Sequence, residues 1–441
     1  NKRKTGVQYL HQLLESDLNN SYALFNTALE LLGLIGEKKN EEVRILSEKA
    51  SNLLFDGLSN EFIAIYIKRY IIGNKKSALA PLSKWQTKVA SLKILSKAAK
   101  KAPQEIESLM IELVPIVSKL MWDVKKPVKE QAAETLEDIC SAIDNIDLKP
   151  FIPRLIEAIS DPDTVGDCIY SLAGTTFVQT VNSAALSITV PLLKRGFSDS
   201  KTAIRRKCAV ITENMAKLVK KAEDVEPFMP VLSPLLKAGM ETIADPECRS
   251  RFEAANNVLN EVASHKNDKK LLENGNFNDI IISHTNLDNS NEIVHLIDEV
   301  VTYVINNNLS LNLKVIENCL LQIMQGVQSS NINSIAADIY TRATERNYIT
   351  NATSTIESHV DDEDDSIPDI CNLHFSLAYG SKILLNNSKL HLKKGFKYGI
   401  ISEKSAGKTT MMRAISNGQV EGFPNSSDGI RSIFIENDIQ G

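Results

Sequence analysis

Pro115, Pro153 and Pro191 stand 38 residues apart, and Asp123, Asp161 and Asp199 repeat the interval, each eight residues after its proline. A fourth, slightly stretched unit carries Pro230 and Asp245. The segments read alike, as LVPIVSKLMWD, FIPRLIEAISD and TVPLLKRGFSD, each an apolar helix that stops at an aspartate. A second helix follows, such as VKEQAAETLEDICSAI or IRRKCAVITENMAKLV. An interval of this length is that of one supersecondary unit. A single helix pair cannot bury both of its apolar faces, so such pairs stack into a curved solenoid.

This pattern resembles HEAT repeats, whose period of about 40 residues fits. Helical periodicity covers residues 1–270, and stacked helix pairs are expected from residue 80 to 265. A base stands six residues after three of the four aspartates: Lys129, Arg205 and Arg251. These pairs are expected to form an ionic ladder between neighbouring repeats that breaks at Asp161, which lacks the base.

Composition sets wider limits. A chain of 441 residues suggests two or three domains. With 43% hydrophobic, 24% charged and only 6% aromatic residues it has a globular profile, and its abundant Leu, Ile, Ala and Lys favour helix over sandwich. The six cysteines lie far apart without a CxxC, as expected of reduced thiols in a cytoplasmic protein. The seven histidines show no His-x-x-x-His spacing and no nearby Cys partner, so they support no metal site. No apolar run of membrane-spanning length occurs, so no membrane partner is expected. The chain opens on Asn1 and stops at Gly441 inside a domain, and reads as a piece of a longer protein.

The formal net charge of -5 argues against a chain that binds nucleic acid along its whole length, but the charge is uneven. Residues 191–222 hold nine Lys or Arg against two acids, and residues 84–129 hold ten Lys against four. On a solenoid such charges can line one edge and meet RNA phosphates. Lys194, Arg195, Lys201, Arg206 and Lys207 are the candidate RNA contacts, with Arg205 assigned to the ladder. The alternative is an ordinary solvated helix face.

Residues 276–358 leave the repeat pattern and read as a small helical bundle. Residues 359–369, with five consecutive acids from Asp361 to Asp365, read as a solvated acidic linker. From 370 to 441 the texture changes. LHFSLAY alternates like a strand, ILLNNSKLHLKKGFKYGII reads as strand, turn and strand, MMRAISNG as a helix stopped at Gly418, and RSIFIEN as a further strand. This is the opening of an α/β domain.

Between strand Tyr398-Gly399-Ile400-Ile401 and the helix beginning near Met411 lies Ser402-Glu403-Lys404-Ser405-Ala406-Gly407-Lys408-Thr409-Thr410. A phosphate-binding loop needs G-x-x-x-x-G-K-[ST] between a strand and a helix. Gly407, Lys408 and Thr409 match, and Ser402 stands where the first glycine belongs. The helix start and its N–H groups attract phosphate, Lys408 is placed to reach the β- and γ-phosphates, and Thr409 to ligate Mg²⁺. ATP and Mg²⁺ are thus the expected ligands. The alternative is a chance Gly-Lys-Thr at a helix start.

FSLAYGSKILLNNSKLHLKKGFKYGI and GKTTMMRAISNGQVEGFP, together with LMWDVKKPVK, LAGTTFV, VPLLKRGFSD and ETIADPE, resemble the fungal translation elongation factor 3 family over most of residues 80–441. The resemblance implies a mainly α chain: a HEAT-repeat α-solenoid and a small helical bundle, followed by the start of an α/β P-loop ABC ATPase domain. It implies an ATPase that binds the ribosome, through its RNA and proteins, in elongation or in termination and recycling, with no DNA partner. It places Tyr379, which ends a strand, where ABC ATPases stack an aromatic on adenine; on the residue alone, packing is the other reading. It also exposes a departure, since Ser405 and Ser402 both stand where the family keeps glycine, as in a diverged paralogue. Catalytic residues of the family fall on none of these positions. The rival readings are a HEAT scaffold or transport adaptor with an accidental Gly-Lys-Thr, and an ABC transporter subunit.

Overall fold

The computed structural model describes residues 2–37, 39–73, 76–264, 272–285, 287–307, 313–324, 332–345, 368–379, 382–402, 407–424 and 429–435. Among the described residues the chain is mainly α-helical, with one small antiparallel sheet. It divides into two compact units, each built from two stretches of sequence: residues 1–142 with 268–357, and residues 143–267 with 358–441.

In the first unit, helix pairs stack through their apolar stripes. Helix Trp85–Lys101 lies along Lys126–Cys140, burying Leu92, Leu95, Leu136 and Ile139. A buried hydroxyl pair joins the same two helices, Ser96 Oγ donating to Thr135 Oγ1 at 3.1 Å and Thr135 Oγ1 donating to the Leu92 carbonyl at 3.1 Å. The residues before this stack are helical too, around a cluster of Phe25, Phe62, Tyr66 and Tyr70 in edge-on and tilted ring contacts. Helices Glu292–Asn307, Leu313–Met324 and Ile332–Glu345, from the expected bundle, belong to this unit. Tyr303 bonds Glu105 and Ser108, and Arg69 pairs with Glu299 at 3.5 Å, so helix Glu292–Asn307 is held to helix Pro103–Ser108 and to the turn Ile67–Ile72. Asp298, buried on Glu292–Asn307, accepts the N–H groups of Gly275 and Phe277 and so fixes the loop before helix Asn278–His284.

The second unit holds helices Ile152–Ser160, Val165–Ala173, Ser183–Phe197, Thr202–Lys217, Met229–Thr242 and Pro246–Ser264. Each second helix packs on the next: Val165–Ala173 on Thr202–Lys217, and that on Pro246–Ser264. Glycines permit the closest approaches. A Cβ at Gly239 would come within 2.1 Å of the Phe252 ring, and one at Gly196 within 2.3 Å of Ile169.

The recurring aspartate has a local role. Asp123, Asp161, Asp199 and Asp245 each accept the N–H two residues on, from Lys125, Asp163, Lys201 and Glu247, at 2.9, 3.0, 2.7 and 3.1 Å. This turn satisfies a backbone donor just where the second helix opens. The expected ladder partners differ: no ion pair joins Asp123 to Lys129, Asp199 to Arg205 or Asp245 to Arg251 among the described residues. At Asp123 one oxygen takes the Lys125 N–H and the other the Lys88 ammonium, which leaves neither for Lys129. Ionic links between successive repeats come instead from Lys88–Asp123 at 3.0 Å and Arg206–Glu247 at 3.0 Å. Burial works against the charge on Asp123, yet the Lys125 N–H and the Lys88 ammonium together hold it below the usual carboxylate range. Arg205 keeps its Nε buried without a hydrogen-bond partner.

The sheet belongs to the second unit. Strand β1 is Thr176–Phe177, β2 is Asp369–Tyr379 and β3 is Lys382–Lys393, in the order β1-β2-β3. The β2–β3 hairpin matches the alternating pattern, with Leu373 opposite Leu390 and Leu377 opposite Leu385. Helix Lys408–Ser416 lies against it, Ala414, Met411 and Ile415 joining Val178, Phe375 and Leu377 in one small core. Asn417 ends this helix and Gly418, at φ +67°, follows in the left-handed conformation. The N–H of Gln419 reaches the Ala414 carbonyl and that of Gly418 reaches Ile415, a Schellman closure. Two expected strands do not form. Residues 398–401 and 431–435 are irregular, with Ile401 97% exposed, because no described strand lies beside them to pair. The acidic run 361–365 lies outside the described residues.

Candidate functional site

Helix Lys408–Ser416 opens at Gly407, which takes φ +92°. Only glycine adopts this conformation without strain. A side chain there would meet Leu384 of β3 at 2.7 Å, so the hairpin fixes how closely the backbone turns. The Lys408 side chain folds back toward the start of the loop, where Nζ donates to the Ser402 carbonyl at 2.8 Å and to Ser402 Oγ at 3.0 Å. The ammonium thus bridges the two ends of the loop. Thr409, exposed in the first helical turn, and Thr410 follow. Glu403, Lys404, Ser405 and Ala406 lie outside the described residues. Tyr379 ends β2, its backbone opposite Lys382 on one side and Thr176 on the other.

A helix start carries about half a unit of positive charge, and here a left-handed glycine and a lysine leaning over the loop stand beside it. Thr409 is exposed one residue after Lys408.

This loop is anchored to the repeats by residues that pattern reading missed. Asp147, 2% exposed, accepts the N–H groups of Val178 at 2.6 Å and Gln179 at 2.8 Å with one oxygen. Its other oxygen accepts Gln419 Nε2 at 3.1 Å, just past the end of the loop's helix. Burial pushes the Asp147 carboxyl above the usual range, against these three hydrogen bonds. Thr180 Oγ1 donates to Glu421 at 2.9 Å, and Lys220 pairs with Glu421 at 3.6 Å. Pairing of β1 with β2, Thr176 opposite Tyr379 and Phe177 opposite Ala378, completes the junction. The signal available in sequence was the β-branched and aromatic run Thr175-Thr176-Phe177-Val178 between two helices.

The five basic candidates divide. Lys194 and Lys201 are exposed. Arg195 turns inward onto the Ala158 carbonyl, Arg206 pairs with Glu247, and Lys207 stands 4.6 Å over the Tyr170 ring. In the other basic stretch Lys88, Lys97, Lys100 and Lys126 are paired with acids of the same unit. The six cysteines are free and buried; burial pushes the Cys140 and Cys319 thiols up to about 12 and that of Cys168 up to about 11, so none is a ready thiolate. No helix among the described residues is long and apolar enough to cross a membrane.

Two family models match the repeats: the EF3 N-terminal HEAT repeat over residues 6–136, and the Elongation factor 3/GNC1 HEAT repeat over residues 163–270. Whole-chain similarity runs further. Elongation factor 3 of Candida glabrata is 34% identical over 460 aligned positions, covering 100% of this chain and 42% of that protein. Elongation factor 3 of Phytophthora infestans is 34% identical over 419 residues, covering 93% of this chain and 39% of its own length. Elongation factor 3A of Saccharomyces cerevisiae is 35% identical over 421 residues, covering 92% and 38%. The chain therefore spans roughly two fifths of the length of the curated relatives it matches. With the repeats matched on both sides of residue 150 and the similarity carried on through the hairpin and the loop, the chain belongs to the elongation factor 3 family.

Proposed function

We propose that this chain serves a ribosome-associated, ATP-dependent translation factor, in which the helical repeats contact ribosomal RNA and protein and the loop at Lys408 binds the phosphates of ATP. The reading rests on the Lys408 ammonium folded over a loop that opens a helix through a left-handed Gly407. The names of its relatives, each an elongation factor 3, support the translation role. Mg²⁺, when bound with the nucleotide, neutralises phosphate charge during transfer. On this reading Lys408 exchanges Ser402 for a phosphate oxygen, Thr409 orients its hydroxyl toward the cation, Gly407 keeps the backbone open, and Tyr379 lies beside the base. Remodelling of the ribosome in elongation, or in termination and recycling, is the activity proposed for the whole protein. Lys194 and Lys201 are the exposed charges that contact phosphates, and the ones whose reversal flattens the salt dependence of ribosome binding.

Ser402 weakens the loop where it replaces the glycine. Its hydroxyl adds a second bond to Lys408 that glycine could not make, holding the lysine off the phosphate position. Equilibrium binding of a fluorescent ATP analogue tests this. Lys408→Ala removes binding, while Ser402→Gly tightens it by about tenfold, the value of one released hydrogen bond to a charged group of about 1.5 kcal/mol. Equal binding by wild type and Lys408→Ala excludes the loop as the nucleotide site.

A further inference from the structure

The first unit carries an apolar groove of about 900 Å³ at the turns between successive helices, unrelated to the phosphate loop. Ile72, Leu79, Ile116 and Leu120 are among the aliphatic residues that line it. Its lip is Trp122, 58% exposed, and Val124, 96% exposed, and both stand in the turn that precedes helix Lys126–Cys140. Large apolar side chains left this open beside a cavity mark a surface that a partner covers. The charge of the groove selects the partner. Lys88, Lys119 and Lys125 line it against a single acid, Asp123. Asp123 is already engaged by the Lys88 ammonium and the Lys125 N–H. Three ammonium groups thus face one carboxylate, and the rim carries net positive charge.

We propose that this groove docks an acidic peptide segment of a partner protein, one that places two or three aliphatic or aromatic side chains in the groove and its carboxylates against Lys119 and Lys125. A protein ligand fits better than RNA. Nucleobases stack on flat aromatic faces along a charged track. Here one indole stands among aliphatic side chains, and the lining is apolar between its few charges. The volume suits a few side chains of an extended or helical segment, with Trp122 as the anchor that such interfaces favour. The proposal stands apart from the nucleotide reading, because no residue is shared.

Selection from a library of random short peptides, displayed on phage and panned on the intact chain, tests it. Selected peptides should carry net negative charge and at least two large apolar residues. Their affinity should fall about tenfold or more on Trp122→Ala and on Lys119→Glu with Lys125→Glu. These side chains sit at the surface, and unchanged thermal melting confirms that the variants fold. Trp122 emission should shift to the blue on binding, with Trp85→Phe used to isolate it. Selected peptides without that composition, or ones that bind the variants as tightly as wild type, overturn the proposal. So does a single-stranded RNA oligonucleotide that displaces the peptides and depends on the same three side chains, which would make the groove a nucleic-acid site.

Discussion

The helical repeats and the α/β segment of the second unit are held in opposite ways. Each repeat closes its own turn: the aspartate that ends one helix accepts an N–H only two residues ahead, and the second helix buries its stripe on the next repeat. The α/β segment depends on residues far away in the chain. Its hairpin is extended by Thr176–Phe177, and the turn after its helix is tied through Gln419 to Asp147, which sits 272 residues earlier. Local closure makes a region robust to what happens elsewhere. Distant closure makes the loop at Lys408 sensitive to the repeat that supports it.

Removing the distant tie should have the largest effect. Asp147→Ala strips the acceptor from two backbone N–H groups and one amide, so it should lower stability by about 2–4 kcal/mol. Hydrogen exchange should localise the loss to β1, β2 and helix Lys408–Ser416, with the remaining repeats protected. Uniform loss across the second unit would erase the contrast between the two regions.

A lesion inside a repeat should be smaller. Gly239→Ala forces a methyl against the buried Phe252 ring, which also packs edge-on to Phe197 at 5.4 Å. Overpacking of this kind costs about 1–3 kcal/mol, read as a lowered thermal midpoint, and should leave nucleotide affinity unchanged. A stability loss as large as that of Asp147→Ala would show that the repeats are not independent of one another.

Much of the repeat region was legible in sequence. Pro115, Pro153 and Pro191 with their aspartates mark helix pairs, since each signal acts within a few residues of itself. The ladder expectation failed at the same residues, because spacing alone does not say whether a carboxylate turns to its own backbone or to a base. At the loop, Gly407 and Lys408 were readable as a motif, and the helix that follows stops at Gly418 as its sequence signals. Asp147 was not readable. A lone buried aspartate has no period, and its three donors come from residues 178, 179 and 419. Residues 398–401 carried a strand pattern without a strand, since an apolar run becomes a strand only when a neighbour supplies the ladder.

The smallest expected effect lies in the first unit, where Arg342 holds Asp279 with two bonds, at 2.6 and 2.7 Å. The Arg342 guanidinium keeps the Asp279 carboxyl below the usual range, so its contribution is present above the unfolded value near pH 4 and is lost as pH falls through the folded one. The carboxylate is mostly solvent-exposed, so Asp279→Asn should cost under about 1 kcal/mol at neutral pH, with the difference from wild type vanishing in acid. A difference that grows as the pH is lowered would contradict the pairing.

The most direct measurement is a structure of the protein with a non-hydrolysable ATP analogue and Mg²⁺. Phosphate density should lie at the start of helix Lys408–Ser416, with the Lys408 ammonium moved from Ser402 to a phosphate oxygen and Thr409 facing the cation. A map with the analogue bound elsewhere and Lys408 still on Ser402 would contradict the assignment of this loop.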